Sequence, residues 1–159
     1  MCSSDLIRSM GNIEIINIDD EIERRELDEN DSLRSPRFNA HLLDRLGERH
    51  CVLCNCGISE VIQGAHIWPV SDIKRTSALS LDEKLTYATD GENGLWMCQN
   101  HHKMFDSSIL FLSNNGEVSY KTDLSESDKA YIDSITTVTN LPEHLITPRY
   151  MYYIDKRYA

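Results

Sequence analysis

The stretch DGENGLWMCQNHHKMFD, from Asp90 to Asp106, decides how this chain is read. It sets His101 and His102 side by side, three and four residues after Cys98. Neighbouring residues on a helical turn point about 100° apart, so two adjacent histidines serve different partners. Cys98-Gln99-Asn100-His101 is a CxxH pair, and Cys51-Val52-Leu53-Cys54 is a CxxC pair more than forty residues earlier. Structural zinc takes four nitrogen or sulfur ligands, and two short-spaced pairs from distant segments provide them. Cys51, Cys54, Cys98 and His101 are therefore the expected zinc ligands, joining the turn around Cys51 to a later helix. CVLCNC also offers a Cys-x-Cys pair, which makes Cys56 a reserve ligand; Cys2 is left out. The plain alternative is that these are small buried core cysteines. With His101 given to zinc, His102 points elsewhere.

Outward from this stretch, local signals mark the elements. Ser35-Pro36 reads as a helix start, with Phe38, Leu42, Leu43 and Leu46 at helical spacing and Gly47 as the stop. ISEVIQGAHIWPV is a β-rich stretch ended by Pro69. The polar run from Ser71 to Asn93 reads as loop, with one short helix announced by Ser80 and Glu83 at capping-box spacing. GLWMCQNHHKMFD reads as a turn entering a helix, with Trp68, Trp96, Phe105, Phe111 and Leu112 as core. ILFLS and EVSYK flank Asn114-Asn115-Gly116, a hairpin turn. Thr147-Pro148 starts a terminal helix whose tyrosines pack on the domain; alternatively, Arg149, Lys156 and Arg157, interleaved with them, supply phosphate contacts with aromatic stacking.

The 159 residues suit one domain with a sizeable core. No apolar run approaches membrane-spanning length and MCSSDLIRSM is not a signal peptide, so the expected location is cytoplasmic, with no membrane partner. Five cysteines in a reducing compartment favour metal ligation over disulfides. The net charge of −10 argues against indiscriminate nucleic-acid binding. Nine carboxylates fall between Glu14 and Asp31, against Arg24 and Arg25. Residues 1–34 thus read as an acidic N-terminal extension, and 35–159 as the functional domain. The arm is a solvated acidic face or, alternatively, a regulatory arm that binds a partner protein and imitates the charge of DNA.

AHIWP at 65–69, NGLWMC at 93–98 and HHKMFD at 101–106 together resemble the HNH endonucleases. They are most similar to a subgroup reading AHI-x-P, NGL-x-x-C and H-x-x-FD, found in restriction-like and defence-associated nucleases. The resemblance covers roughly residues 36–120, and it implies strand, loop and helix of the ββα-metal fold. The fold class expected is α+β: a ββα-metal core stapled by structural zinc, with flanking helices and a β-hairpin. The resemblance implies His66 as general base, Asn93 holding that imidazole through a backbone or side-chain contact, and His102 as ligand of a divalent ion such as Mg²⁺. Asp106, four residues on and on the same helical face, is a second ligand or an orienter of His102. Many HNH enzymes carry a metal-ligating Asp or His just before the base; Ala65 stands there, as in the AHI subgroup.

The implied activity is hydrolysis of DNA phosphodiester bonds, leaving a 5′ phosphate, in restriction or phage defence. Lys74, Arg75 and Lys103 are the nearest candidates for DNA contact. Double-strand cleavage calls for a homodimer, whereas a nicking monomer fits the residues equally. Two rivals use the same residues: a zinc-stabilised binding module that does not cut, and a nuclease acting on RNA or a structured junction.

Overall fold

A computed structural model describes residues 36–159. The acidic extension, its IEIINI patch, Cys2 and the Ser35 cap lie outside the described residues. Helix α1 runs Pro36–Leu46. Its proline occupies the first turn, where no backbone N–H is needed. Gly47 ends it with φ of +80°, donating its N–H to the Leu43 carbonyl at 2.9 Å. Phe38 and Leu42 are buried, but Leu43 is 45% exposed. The core stripe therefore runs through positions four apart, and Leu43 falls about 100° off it.

Strand β1, Ile62–His66, pairs antiparallel with β2, Gly94–Cys98, so that His66 faces Gly94 and Ile62 faces Cys98. The β-rich stretch around residue 62 is thus a five-residue strand, preceded by a 3-10 turn at Ser59–Val61. Residues 94–98, expected as a turn or loop, form the second strand instead. All five are buried. A strand covered on both faces has no polar alternation, so periodicity cannot separate it from other short apolar runs.

Between the strands lie helices α2, Val70–Arg75, and α3, Leu81–Thr89. Only α3 announced itself, and both halves of the Ser80–Glu83 capping box are made. Helix α4, Gln99–Asp106, follows β2 directly and packs against both strands. The hairpin forms as expected: β3, Leu110–Leu112, pairs with β4, Val118–Tyr120, and Gly116 takes φ of +85° in the turn. Helix α5, Glu126–Ile135, was not signalled, because it buries one residue only, Ile132. Helix α6, Pro148–Arg157, starts at the expected Thr147 cap. It buries Tyr150 and Tyr153, so the tyrosines do pack inward, while Tyr152 and Tyr158 remain exposed. The result is a mixed helix and strand fold. Among the described residues, no helix is long and apolar enough to cross a membrane.

One close approach fixes α1 on the sheet. A Cβ on Gly94 would lie 2.3 Å from the Phe38 ring, and one on Gly64 would lie 2.8 Å from Leu42. Arg45 bridges the same layers, donating to the carbonyls of Gly91 at 2.7 Å and Gly94 at 2.6 Å. Gly94→Ala is expected to lower unfolding free energy by ~1–3 kcal/mol through overpacking, read as a reduced urea midpoint at unchanged slope. A midpoint equal to the wild type would show that the Phe38 ring can move aside without cost.

Candidate active site and metal centre

The two neighbouring histidines separate as their spacing requires. His101 turns to one side of α4 and joins Cys51, Cys54 and Cys98 in a cluster whose ligand atoms all lie within 4.8 Å of one another. Cys98 Sγ is 3.1 Å and Cys51 Sγ 3.7 Å from His101 Nδ1, and Cys54 Sγ is 3.9 Å from Cys98 Sγ. The edge of a tetrahedron with bonds of about 2.3 Å is roughly 3.8 Å, so the four atoms can hold one metal ion. The other nitrogen, His101 Nε2, is 2.8 Å from Thr136 Oγ1, which leaves Nδ1 as the atom available to a metal. Burial lowers the His101 pKa and so keeps it neutral, as a ligand must be. Burial also pushes the Cys51 thiol up to about 12. A cation reverses that preference by stabilising thiolate directly. Cys56 stands outside this group; its carbonyl accepts from the Cys51 N–H at 2.9 Å.

His102 turns to the other side and lines a cleft of about 560 Å³ with His66 and Asp106. His66, at the end of β1, is 5% exposed. Its Nε2 lies 2.7 Å from the Ala88 carbonyl oxygen at the end of α3. A carbonyl only accepts, so Nε2 carries the hydrogen and donates. Nδ1 therefore keeps its lone pair, and it is buried with no hydrogen-bond partner in the protein. The Phe38 ring stacks on the imidazole, with centroids 3.7 Å apart and planes 14° from parallel. Burial lowers the His66 pKa to about 4, against the pull of Ala88 and Asp106. The imidazole is a neutral base with one nitrogen uncommitted.

His102 has both nitrogens engaged. Nδ1 is 2.8 Å from Gln63 Oε1, and Nε2 is 3.0 Å from Asp106 Oδ2. With Nδ1–H donating to Gln63, Nε2 faces a carboxylate oxygen, a contact satisfied by a proton on Nε2 or by a cation between the two atoms. Their 3.0 Å separation equals the edge of an octahedron with bonds of about 2.1 Å, which suits a small divalent ion. For Asp106, burial alone would raise the pKa; contact with His102 and the charges of His102 and Arg157 outweigh it and hold the carboxyl below its ordinary value.

Asn93 is fully buried, and its side-chain hydrogen bonds go to backbone groups and not to the His66 ring. Its Oδ1 accepts from the Trp68 N–H at 2.7 Å, while Nδ2 donates to the carbonyls of Trp68 and Tyr87 at 3.1 and 3.0 Å. It thus fixes the chain after His66 to the end of α3, on either side of the His66–Ala88 bond. Of the expected contact residues, Lys103 is exposed on α4, and Lys74 and Arg75 end α2. None of the three lines the cleft, although Arg75 pairs with Asp72, which does. Phe111, expected in the core, is half-buried and forms part of the cleft wall. Ala65 is buried in β1 and paired with Leu95.

The sequence does not mark Phe38, Ala88 or Thr136 as site residues, leaves Gln63 unassigned, and offers Arg157 only as a phosphate contact. Phe38 was read only as core, and a backbone carbonyl leaves no sequence signal. Gln63 lay three residues before His66 in the strand, the one residue here with a local hint.

Residues 51–112 match the HNH endonuclease family model. The match spans the four metal-cluster residues, His66, Asn93, His102 and Asp106. No curated protein matches the chain. Helices α1 and α6 lie outside this HNH segment, yet α1 stacks Phe38 on His66 and α6 lines the cleft with Arg157.

His66 also carries a pH signature. The unfolded chain takes up this proton near pH 6.5, the folded protein only near 4. The contribution to stability is complete above pH 6.5 and is lost as pH falls towards 4, by on the order of 3 kcal/mol. Urea unfolding between pH 7 and 4 should show this slope in the wild type and a shallower one in His66→Ala. Parallel curves would mean that the ring titrates normally in the folded state.

Proposed function

We propose that the protein is a divalent-metal-dependent DNA endonuclease whose nuclease domain spans residues 35–159, with 1–34 as an appended acidic extension. The observation that carries this reading is the bare, buried Nδ1 of His66, a residue in the wall of the cleft that also holds the His102–Asp106 pair. A hydrogen-bonded structural histidine would satisfy both nitrogens; this one commits Nε2 and leaves the other for a proton from outside the protein. The succession β1, β2, α4 supports the ββα-metal architecture, with zinc at Cys51, Cys54, Cys98 and His101 as its staple. The wider extent of the domain is supported by the Phe38 ring of α1 stacked on His66 and by Arg157 of α6 in the cleft wall.

In this mechanism His66 Nδ1 accepts a proton from a water molecule as the water oxygen attacks phosphorus. Ala88 holds the imidazolium that forms through Nε2–H, and the Asp106 charge favours it. Asn93 keeps the two ends of that hydrogen bond in register and is a positioning residue. His102 Nε2 and Asp106 Oδ2 would hold the divalent ion, with Gln63 fixing the tautomer of His102. Such an ion, Mg²⁺ or similar, supplies positive charge at the scissile phosphate and the leaving 3′ oxygen. The P–O3′ bond breaks as the water oxygen bonds to phosphorus, the leaving 3′ oxygen takes a proton from solvent, and the products are a 3′ hydroxyl and a 5′ phosphate. Lys74, Arg75 and Lys103 are proposed as outlying phosphate contacts. A restriction or phage-defence setting, in a reducing cytoplasm, rests on the motif resemblance; double-strand cleavage would take a homodimer.

The test is plasmid cleavage with and without added Mg²⁺ or Mn²⁺, wild type beside a folded His66→Ala. The wild type should nick or linearise DNA only with the added ion, and the variant should lose ~10²–10⁴-fold in rate. If neither cuts while both remain folded, the non-cutting binding module takes over as the better reading. Elemental analysis should find one zinc per chain, lost with unfolding in Cys98→Ser. A folded, zinc-free protein would remove the staple from the account.

A further inference from the structure

Helix α6 lies beyond the HNH segment, yet its last residue is built into the floor of the cleft. The Arg157 side chain is 9% exposed. One guanidinium nitrogen donates to the carbonyls of Ile67 at 2.9 Å and His66 at 3.3 Å, and the second donates to the Phe105 carbonyl at 2.7 Å. The guanidinium carbon sits 3.5 Å from the centre of the Phe105 ring. Asp106 Oδ1 is 3.7 Å away. We propose that Arg157 is a positioning residue, setting the spacing between the His66 base and the His102–Asp106 pair. The inference rests on the nuclease reading of the cleft.

Burying a guanidinium costs free energy unless its donors are satisfied. Here they are satisfied by two elements that carry the two halves of the site. The carbonyls of His66 and Ile67 belong to the end of β1 and the residue after it. The Phe105 carbonyl belongs to the last turn of α4, where its bond from the Ser108 N–H is long, 3.4 Å, and positive charge is favourable. The nitrogens that reach these carbonyls are turned into the protein, which separates Arg157 from a residue that grips phosphate. A planar fork can span both elements at fixed distances; the single ammonium of lysine cannot. Arg157 also approaches Asp106 at Oδ1, while His102 contacts Oδ2, so each oxygen of the carboxylate has its own partner.

Arg157→Lys is the primary variant, because it keeps the charge and loses the fork. Tyr150→Phe is the matched control. It removes the bond from the α6 tyrosine to the Ser113 carbonyl, 2.8 Å, and so loosens the same helix away from the cleft. Melting temperature, kcat and KM for plasmid DNA, and the Mg²⁺ dependence of the rate would be measured for both, beside wild type and His66→Ala. Arg157→Lys should lose ~10²-fold in kcat, with KM nearly unchanged and a higher Mg²⁺ requirement. Tyr150→Phe should lose stability and keep the wild-type kcat. The inference is overturned if Arg157→Lys cuts at the wild-type rate while His66→Ala does not, or if both α6 variants lose rate in step with melting temperature. A rise in KM at unchanged kcat would overturn it too, making Arg157 a substrate contact. A folded wild type that cuts DNA with none of the added ions overturns the nuclease reading, and this inference with it.

Discussion

The site depends on how the end of helix α3 is finished. The last carbonyls of a helix have no partner within it and must be satisfied from outside. Here the Tyr87 carbonyl accepts from Asn93, the Ala88 carbonyl from His66, and the Thr89 carbonyl lies 2.5 Å from His41 Nδ1. Three side chains from three parts of the chain converge on three consecutive acceptors. One of them is the candidate base, whose tautomer is decided by that bond. A donor elsewhere would let the imidazole rotate or exchange its proton between nitrogens. The backbone need of a nine-residue helix is thus what leaves Nδ1 bare.

Around that bond the architecture is two-sided. Helix α4 turns His101 towards the cysteine cluster and His102 towards the cleft, while β2 ends on Cys98 and begins on the glycine opposite His66. Metal cluster and cleft therefore share a short strand and a short helix, and neither element can shift without moving both. The backbone N–H groups of Thr137 and Val138 add a tie, donating to the Leu53 carbonyl between the two cysteines of the CxxC.

What was legible in the sequence was local. The Ser80–Glu83 box, the Asn-Asn-Gly turn, the Thr147-Pro148 start and the paired CxxC and CxxH signals each place their chemistry within a few residues, and each appears where its spacing put it. The second strand was not legible because every residue of GLWMC is covered, so no polar alternation marks it. The surroundings of His66 were not legible either. Its stacking partner lies 28 positions earlier in the sequence and its hydrogen-bond acceptor 22 later, and that acceptor is a carbonyl shared by every residue type. Asn93 shows the boundary between the two cases: its identity stood out, whereas its partners, Trp68 and Tyr87, needed coordinates.

The Phe38 ring fills the space that Gly94 leaves by having no side chain, and from there covers the face of His66. This makes the recognisable fingerprint, residues 51–112, insufficient as a transplantable unit. A graft of that segment onto another scaffold would bring the histidines and the cysteines. It would leave a glycine-lined hollow beside the imidazole, open to water, and the ring would sit in a far more polar medium than the one that holds its proton affinity down. The portable part of this site is its ligand spacing; its dryness belongs to the host.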